Sequence, residues 1–169
     1  MSSQIATTAV RGRFLDIQHT VAQAHEIDDQ VRYVEDGLII MQDGKIQWFG
    51  SWDEGQKHLA ENIQVAHYPE QLIVPGLIDT HIHFPQTEMV GAYGEQLLEW
   101  LNTYTFPTEI QFADTAYSEK IAEFFVQELL KNGTTTALVF CTVHPESVDA
   151  LFTAASRRNM RLIAGKILM

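Results

Sequence analysis

The first seventy residues carry short apolar runs separated by polar turns, a pattern that predicts β-strands. The clearest signal is a hairpin over residues 37–50, in which two apolar runs flank Asp43-Gly44. This dipeptide accepts the positive φ angles that a tight hairpin turn requires. The other elements predicted here are strands over residues 9–17 and 63–67, a polar loop over 19–30 and a short helix over 52–61. Together they predict a small β layer.

After residue 69 the pattern changes to strands that alternate with helices. An apolar run over residues 72–78 leads into a strand that ends near Phe84. We expect Ser118 to cap a long helix and Gly133 to end it. Alternation of this kind predicts right-handed βαβ units and a parallel α/β sheet. The remaining predicted elements are helices over 95–104, 118–132 and 147–159, and strands over 134–143 and 160–169.

The size of this second region limits what it can form. Residues 70–169 make 100 residues, whereas a complete (β/α)8 barrel takes about 250. The region can therefore hold about two and a half βα units of such a barrel. The final nine residues, 161–169, form an apolar strand with no later element to cover it. This is either a short edge strand or, as we expect, the sign that the chain is the truncated front part of a longer protein.

Charge and cysteine content narrow the function classes. The chain has 22 acidic and 11 basic residues, which gives a formal net charge of −11. This balance argues against nucleic acid and against an anionic membrane surface, because both attract clustered Lys and Arg. The single cysteine, Cys141, cannot form an internal disulfide, and the first eight residues lack a basic segment followed by an apolar one. We expect a cytoplasmic protein; an extracellular protein without disulfides is the alternative.

The main chemical signal is His81-Ile82-His83, at the end of the apolar strand. Side chains two apart on a strand share a face and are about 6.6 Å apart at the backbone, so two imidazoles can converge on one metal ion. The alternative is a pair of surface or packed histidines. Asp79 shares this face, and it either orients a ligand by accepting a hydrogen bond or is a solvated turn residue.

The run from Val74 to His83 resembles the metal-binding segment of the amidohydrolase superfamily. The resemblance implies that this strand opens a metal-dependent (β/α)8 TIM-type barrel over residues 70–169. It also implies that residues 1–69 are part of a small β-sandwich that precedes the barrel. Four further segments are similar to the superfamily members that act on guanine: His83-Phe84-Pro85-Gln86, residues 94–101, residues 104–107 and residues 132–136.

The resemblance implies roles for individual residues of the first segment. His81 and His83 would be ligands of one zinc ion. The segment from His83 through Phe84 and Pro85 to Gln86 would contact the substrate, with the Gln86 amide reading a polar edge of the purine. An amide carries both a donor and an acceptor, which suits a ring edge with a carbonyl and an N–H.

Three further residues each have two interpretations. Trp100 or Leu101 would wall the purine pocket, or else they belong to the core of their helix. His144 follows the second strand of the region, and it either faces the barrel mouth or is a loop histidine before Pro145. The other design of zinc deaminase is excluded, because it requires Pro-Cys-x-x-Cys and this chain has one cysteine.

The implied reaction is the hydrolysis of guanine to xanthine and ammonia by zinc-activated water, a step of purine catabolism. The resemblance also implies a homodimer for the full-length protein. In the family, two more histidines, a metal-binding aspartate and a proton-carrying glutamate lie on later strands, so we expect the 169 residues alone to be inactive. The alternatives are a non-catalytic fragment, or a relative acting on another heterocyclic amine, against which Gln86 and residues 97–101 argue.

Overall fold

The computed structural model describes residues 7–20, 22–94 and 96–168. Two predicted element ends lie outside the described residues, the helix start at Glu95 and the strand end at Met169. The first six residues also lie outside them. The chain divides into two compact units, Met1–Pro75 and Gly76–Met169. The domain bounds that we predicted, residues 1–69 and 70–169, stay a prediction. No helix in the described ranges has the length and apolar character that crossing a bilayer requires.

The first unit is a four-stranded sheet. Its strands are β1 (Thr7–Ile17), β2 (Val31–Gln42), β3 (Lys45–Ser51) and β4 (Val65–Ile73), in the order β3-β2-β1-β4. β1 pairs antiparallel with β2 and parallel with β4. The hairpin is confirmed, since Asp43 and Gly44 turn between β2 and β3 with φ angles of 52° and 72°. The predicted short helix is α1 (Trp52–Gly55), followed by one 3-10 turn.

One face of this sheet carries the core of the first unit. Ala9, Leu38 and Ile40 are buried there, and Trp48 and Trp52 pack against them. The alternation of side chains along β1 and β2 places these residues on a common face. The described residues of this unit contain one sheet, and the predicted sandwich stays a prediction.

The second unit confirms the predicted parallel α/β arrangement. Its strands are β5 (Leu77–His83), β6 (Thr134–Phe140) and β7 (Arg161–Gly165), all parallel and in the order β5-β6-β7. Its helices are α2 (Leu97–Trp100), α3 (Phe106–Glu109), α4 (Thr115–Lys131) and α5 (Pro145–Arg157). Because the strands are parallel, their carboxyl ends meet at one edge of the sheet, where loops gather side chains for a site.

The helical segment before α4 is longer than predicted. It passes through α2, a π-turn (Leu101–Thr105), α3 and a 3-10 turn (Ile110–Ala113), whereas we predicted a helix only as far as residue 104. Pro107 lies inside this continuous segment, since Thr105 and Phe106 before it keep helical φ and ψ angles. Proline removes one backbone donor from a helix interior, and here the π-turn directly precedes α3, where Pro107 lies.

Asp114, rather than the predicted Ser118, caps α4. The Asp114 carboxylate accepts a hydrogen bond from the backbone N–H of Tyr117 at 2.8 Å. Ser118 lies one turn inside the helix, and its buried hydroxyl donates to the carbonyl of Phe112 at 2.9 Å. Both residue types are good caps, so the local pattern did not separate them. Gly133 follows the end of the helix as predicted, with a φ of 85°.

The helices of the second unit bury apolar side chains against the sheet. Cys141 belongs to this core and is fully buried. Burial raises the pKa of its thiol to about 11, so the thiol stays protonated and unreactive at neutral pH. Other members of the core are Phe84, Phe112, Ile121, Phe125, Val126, Val139 and Leu151.

Replacing Asp114 by alanine should lower the free energy of unfolding by about 1 kcal/mol, because the N–H of Tyr117 loses its acceptor. Glu119→Ala removes an exposed carboxylate from the same helix and should change this free energy by less than about 0.5 kcal/mol. Urea unfolding followed by circular dichroism measures both. Equal effects of the two substitutions would contradict the assignment of the cap.

Candidate functional site

The paired histidines lie at the carboxyl end of β5. His81 and His83 occupy alternate positions of this strand, and their side chains meet on one face. The pairing of β5 with β6 is irregular between Asp79 and Ile82, so alternation along the strand does not place Asp79 on that face. The Nε2 atoms of the two histidines are 3.2 Å apart, and their ring centroids are 5.1 Å apart. The structure thus brings together the two imidazoles that we predicted as metal ligands.

Two nitrogens at this distance suit a single zinc ion. With Zn–N distances of about 2.0–2.1 Å, a separation of 3.2 Å corresponds to a ligand angle of roughly 100–106°, near the tetrahedral value. Burial lowers the pKa of His83, and the neighbouring charge of His81 lowers it further. The neutral imidazole keeps the lone pair that a metal requires. Among the residues that the structure describes, no cluster of three potential ligands is complete.

Phe140 supports both imidazoles from the neighbouring strand. Its ring centroid is 4.9 Å from that of each histidine, and its ring lies at 15° to that of His83. Phe140 ends β6 and pairs in register with His83. The sequence did not indicate Phe140, because neither β5 nor β6 alone reveals the register in which the two strands pair. The apolar ring covers one side of both imidazoles and limits their rotation.

Asp79 contacts the backbone of the site. Its carboxylate accepts a hydrogen bond from the backbone N–H of His81 at 2.9 Å. Of the two interpretations of Asp79, a residue that orients a metal ligand or a solvated turn residue, neither is tested, and the observed contact reaches the main chain of His81 rather than its imidazole. Any influence of Asp79 on the ring is therefore exerted through the backbone conformation of β5.

A 3-10 turn over Phe84–Met89 follows β5 and presents Gln86. Gln86 lines a cavity of about 580 Å³ together with His81 and His83. This cavity extends along α4, which supplies Phe124, Phe125, Glu128 and Leu129, and it lies beside β5, the edge strand of the described sheet. Phe84 and Pro85, which we predicted as substrate contacts, have fully buried side chains. Because these side chains fill the core, the two residues have only backbone atoms to offer a substrate. The structure therefore brings Gln86, but not the side chains of Phe84 and Pro85, to the histidines.

Trp100 and Leu101 lie outside this cavity. Trp100 ends α2, Leu101 begins the π-turn, and both side chains are half-buried. The structure places them with the helical segment and does not bring them to the histidines. An amphipathic pattern predicts which face of a helix is buried, but it does not show what covers that face. The sequence therefore could not decide whether Trp100 and Leu101 line a pocket or belong to the core.

His144 caps α5 through its backbone. Its carbonyl accepts a hydrogen bond from the Ser147 hydroxyl at 2.8 Å, and its N–H donates to the Thr142 hydroxyl at 3.0 Å. Burial raises the pKa of the Glu109 carboxyl, and the charge of His144 opposes this shift. The imidazole of His144 and the buried carboxyl of Glu109 therefore lie within electrostatic reach of each other.

Two buried polar residues, Thr105 and Glu109, were missed by our sequence analysis. They lie one helical turn apart, at the end of the π-turn and at the end of α3. The hydroxyl of Thr105 has no hydrogen-bond partner among the described residues. Polar residues at this spacing usually mark a solvated helix face, so only the tertiary structure reveals their burial.

These observations define a class of protein. A parallel α/β sheet carries two converging imidazoles at its carboxyl edge, and the following turn presents an amide to the same cavity. α/β-barrel enzymes place their catalytic groups at this edge. Two histidines that converge in this way are typical of metal-dependent hydrolases.

Comparison with known proteins gives the family. Residues 72–169 match the amidohydrolase family. The chain is 56% identical to the guanine deaminase of Escherichia coli (strain K12) over 169 residues, which are 100% of this chain and 38% of that protein. The chain belongs to the amidohydrolase family.

Solved structures of relatives share the fold. The structure of E. coli guanine deaminase superposes with a TM-score of 0.91 at 57% identity, covering 96% of this chain and 38% of that one. A guanine deaminase from C. acetobutylicum, solved with guanine bound in its active site, superposes with a TM-score of 0.77 at 28% identity, covering 97% of this chain and 37% of that one. The chain thus spans less than two fifths of the relatives that it matches.

In the full-length protein, Phe140→Leu should weaken the binding of a metal ion, tested with zinc, roughly tenfold, because the imidazoles lose the ring that limits their rotation. His83→Ala, which removes a ligand, should weaken it much further. Phe152→Leu changes a partly exposed phenylalanine on α5 and should leave zinc affinity unchanged. Competition with a chromophoric chelator measures the affinity of the purified variants. Equal affinities of the Phe140 and Phe152 variants would show that Phe140 does not support the site.

Proposed function

We propose that this chain is the N-terminal portion of a zinc-dependent hydrolase that deaminates guanine to xanthine and ammonia. The observation that carries the proposal is the convergence of His81 and His83, with Nε2 atoms 3.2 Å apart, beside a cavity that Gln86 also lines. The 56% identity to a guanine deaminase along the whole chain supports the choice of substrate. The reaction would belong to purine catabolism in the cytoplasm, and the enzyme would be a homodimer.

His81 and His83 would hold one zinc ion. When bound, zinc supplies Lewis acidity that activates water near neutral pH. The chain's own contribution is to keep the His83 imidazole neutral and both imidazoles oriented. Burial disfavours the protonated form of His83, and the ring of Phe140 holds both imidazoles at a centroid distance of 4.9 Å. Further ligands would come from parts of the protein beyond this chain.

Gln86 would orient the purine. Its amide can donate one hydrogen bond and accept another, and guanine presents a carbonyl and an N–H side by side on one ring edge. Such pairing would turn the carbon that carries the exocyclic amine towards the histidines. Water would add its oxygen to that carbon and one of its protons to the amine, and the carbon–nitrogen bond would break to release ammonia. The second proton of the water would remain on a ring nitrogen of the xanthine.

The full-length protein should convert guanine to xanthine with release of one ammonia per guanine. Adenine should react about 10⁴-fold more slowly, because it carries an amine where guanine has its carbonyl and would leave buried polar groups unpaired. Absorbance spectra and an ammonia assay follow both reactions. Comparable rates on the two purines, or activity confined to another heterocyclic amine, would overturn the choice of guanine.

Gln86→Leu in the full-length protein should weaken transition-state binding by about 2 kcal/mol, or roughly 30-fold in kcat/KM, because a buried donor and acceptor are lost. Zinc content should not change, since the histidines are intact. Gln64→Leu, at an exposed glutamine of the first unit, is the matched control and should behave as the parent. Unaltered guanine kinetics in the Gln86 variant would show that this amide does not read the base.

A further inference from the structure

The turn that presents Gln86 is held at both of its ends. At the first end, the fully buried ring of Phe84 packs edge-on against Phe112, with centroids 5.0 Å apart and an interplanar angle of 77°. At the other end, the Glu88 carboxylate accepts a hydrogen bond from the Tyr117 hydroxyl at 2.6 Å. Gln86 lies midway, two residues from each anchor.

Tyr117 connects the two anchors. Its ring packs edge-on against Phe112 at 5.0 Å and 82°, so Phe112 contacts both Phe84 and Tyr117. The position of Tyr117 is itself fixed, because its backbone N–H binds the capping carboxylate of Asp114. Three successive contacts, Phe84 with Phe112, Phe112 with Tyr117, and Tyr117 with Glu88, thus connect the two ends of the turn.

The turn needs such anchors because its own hydrogen bonding is weak. A 3-10 helix has poorer hydrogen-bond geometry than an α-helix and rarely persists beyond a few residues. Within this turn, the one internal side-chain hydrogen bond runs from the Thr87 hydroxyl to the Phe84 carbonyl at 2.7 Å. Gln86 makes no side-chain hydrogen bond to another described residue, so its direction depends on the backbone that carries it.

The chemistry of the tyrosine suits a permanent contact. Burial raises the pKa of Tyr117, and the hydrogen bond and the charge of Glu88 raise it further. The hydroxyl therefore stays protonated and donates throughout the neutral range. A charged acceptor also makes this hydrogen bond stronger than one between neutral groups.

We propose that Tyr117 is a positioning residue, which through Glu88 fixes the turn so that Gln86 is presented to the substrate in one direction. The role of the turn in substrate binding rests on the proposed function. The fixing of the turn by Tyr117 rests on the contacts alone. Holding a binding group in its productive direction before the ligand arrives reduces the entropic cost of binding.

The test uses the full-length protein with Tyr117→Phe and Glu88→Ala. Phenylalanine at position 117 keeps the ring against Phe112 and removes only the hydroxyl. Alanine at position 88 removes the carboxylate that accepts the hydrogen bond. Each variant should raise the KM for guanine roughly five- to tenfold and leave kcat within about twofold, with zinc content unchanged. The double variant should be no worse than either single variant, because both break the same hydrogen bond.

Two control variants separate positioning from general damage. Glu88→Gln keeps an acceptor oxygen at the same reach and should restore a KM close to that of the parent. Tyr33→Phe removes a hydroxyl from an exposed tyrosine of β2 and should change neither KM nor kcat. The proposed role of the Tyr117–Glu88 hydrogen bond would be overturned if the effects of the Tyr117 and Glu88 variants on KM were additive. An equal rise of KM in Glu88→Gln and Glu88→Ala would overturn it as well.

Hydrogen exchange, measured without substrate, provides a readout that does not depend on activity. The amides of Phe84 and of residues 86–89 should exchange faster in Tyr117→Phe than in the parent, while those of β6 should not change. Unchanged exchange in the turn would overturn the proposal whatever the kinetics. Faster exchange with an unchanged KM would show that the turn does not position the substrate. A parent that does not hydrolyse guanine would refute the proposed function, and the exchange data would still decide whether Tyr117 fixes the turn.

Discussion

The parallel pairing of β5 with β6 is the constraint on which the candidate site depends. It sets His83 opposite Phe140 at the carboxyl edge of the sheet. Alternation along β5 then brings the Nε2 atoms of His81 and His83 within 3.2 Å, with the ring of Phe140 beside both. A slip of one residue would turn Phe140 to the opposite face and leave the imidazoles without support. Backbone pairing thus determines the geometry of the site.

The site and the core share the segment that follows His83. Phe84 is fully buried and contacts Phe112 and Phe125, while Gln86, two residues later, lines the cavity. A close-packed core holds Phe84 in one position, so the backbone leaves β5 in one direction. The same packing that stabilises the second unit therefore also directs the turn towards the histidines. Changes to this aromatic cluster affect stability and site geometry together.

Much of the fold follows from local pattern. The hairpin at Asp43-Gly44, the strand–helix alternation after residue 70 and the end of α4 before Gly133 all depend on residues close together in the chain. One difference is local: Asp114 rather than Ser118 caps α4, and the Ser118 hydroxyl donates to the carbonyl of Phe112, six residues before it. The other differences arise where contacts are distant, as in the site, where the paired histidines were predicted and the buried side chain of Phe84 was not.

The sequence by itself determined that two imidazoles share a strand face, because side-chain alternation is a property of the strand alone. It also determined the family resemblance, carried by the run that ends at His83. Only the tertiary structure decided that Phe140 covers the imidazoles, that Glu109 is buried and that Tyr117 binds Glu88. Each of these contacts joins separate elements, and its formation depends on strand register and helix packing. Those are set by the whole core and cannot be read from either segment alone.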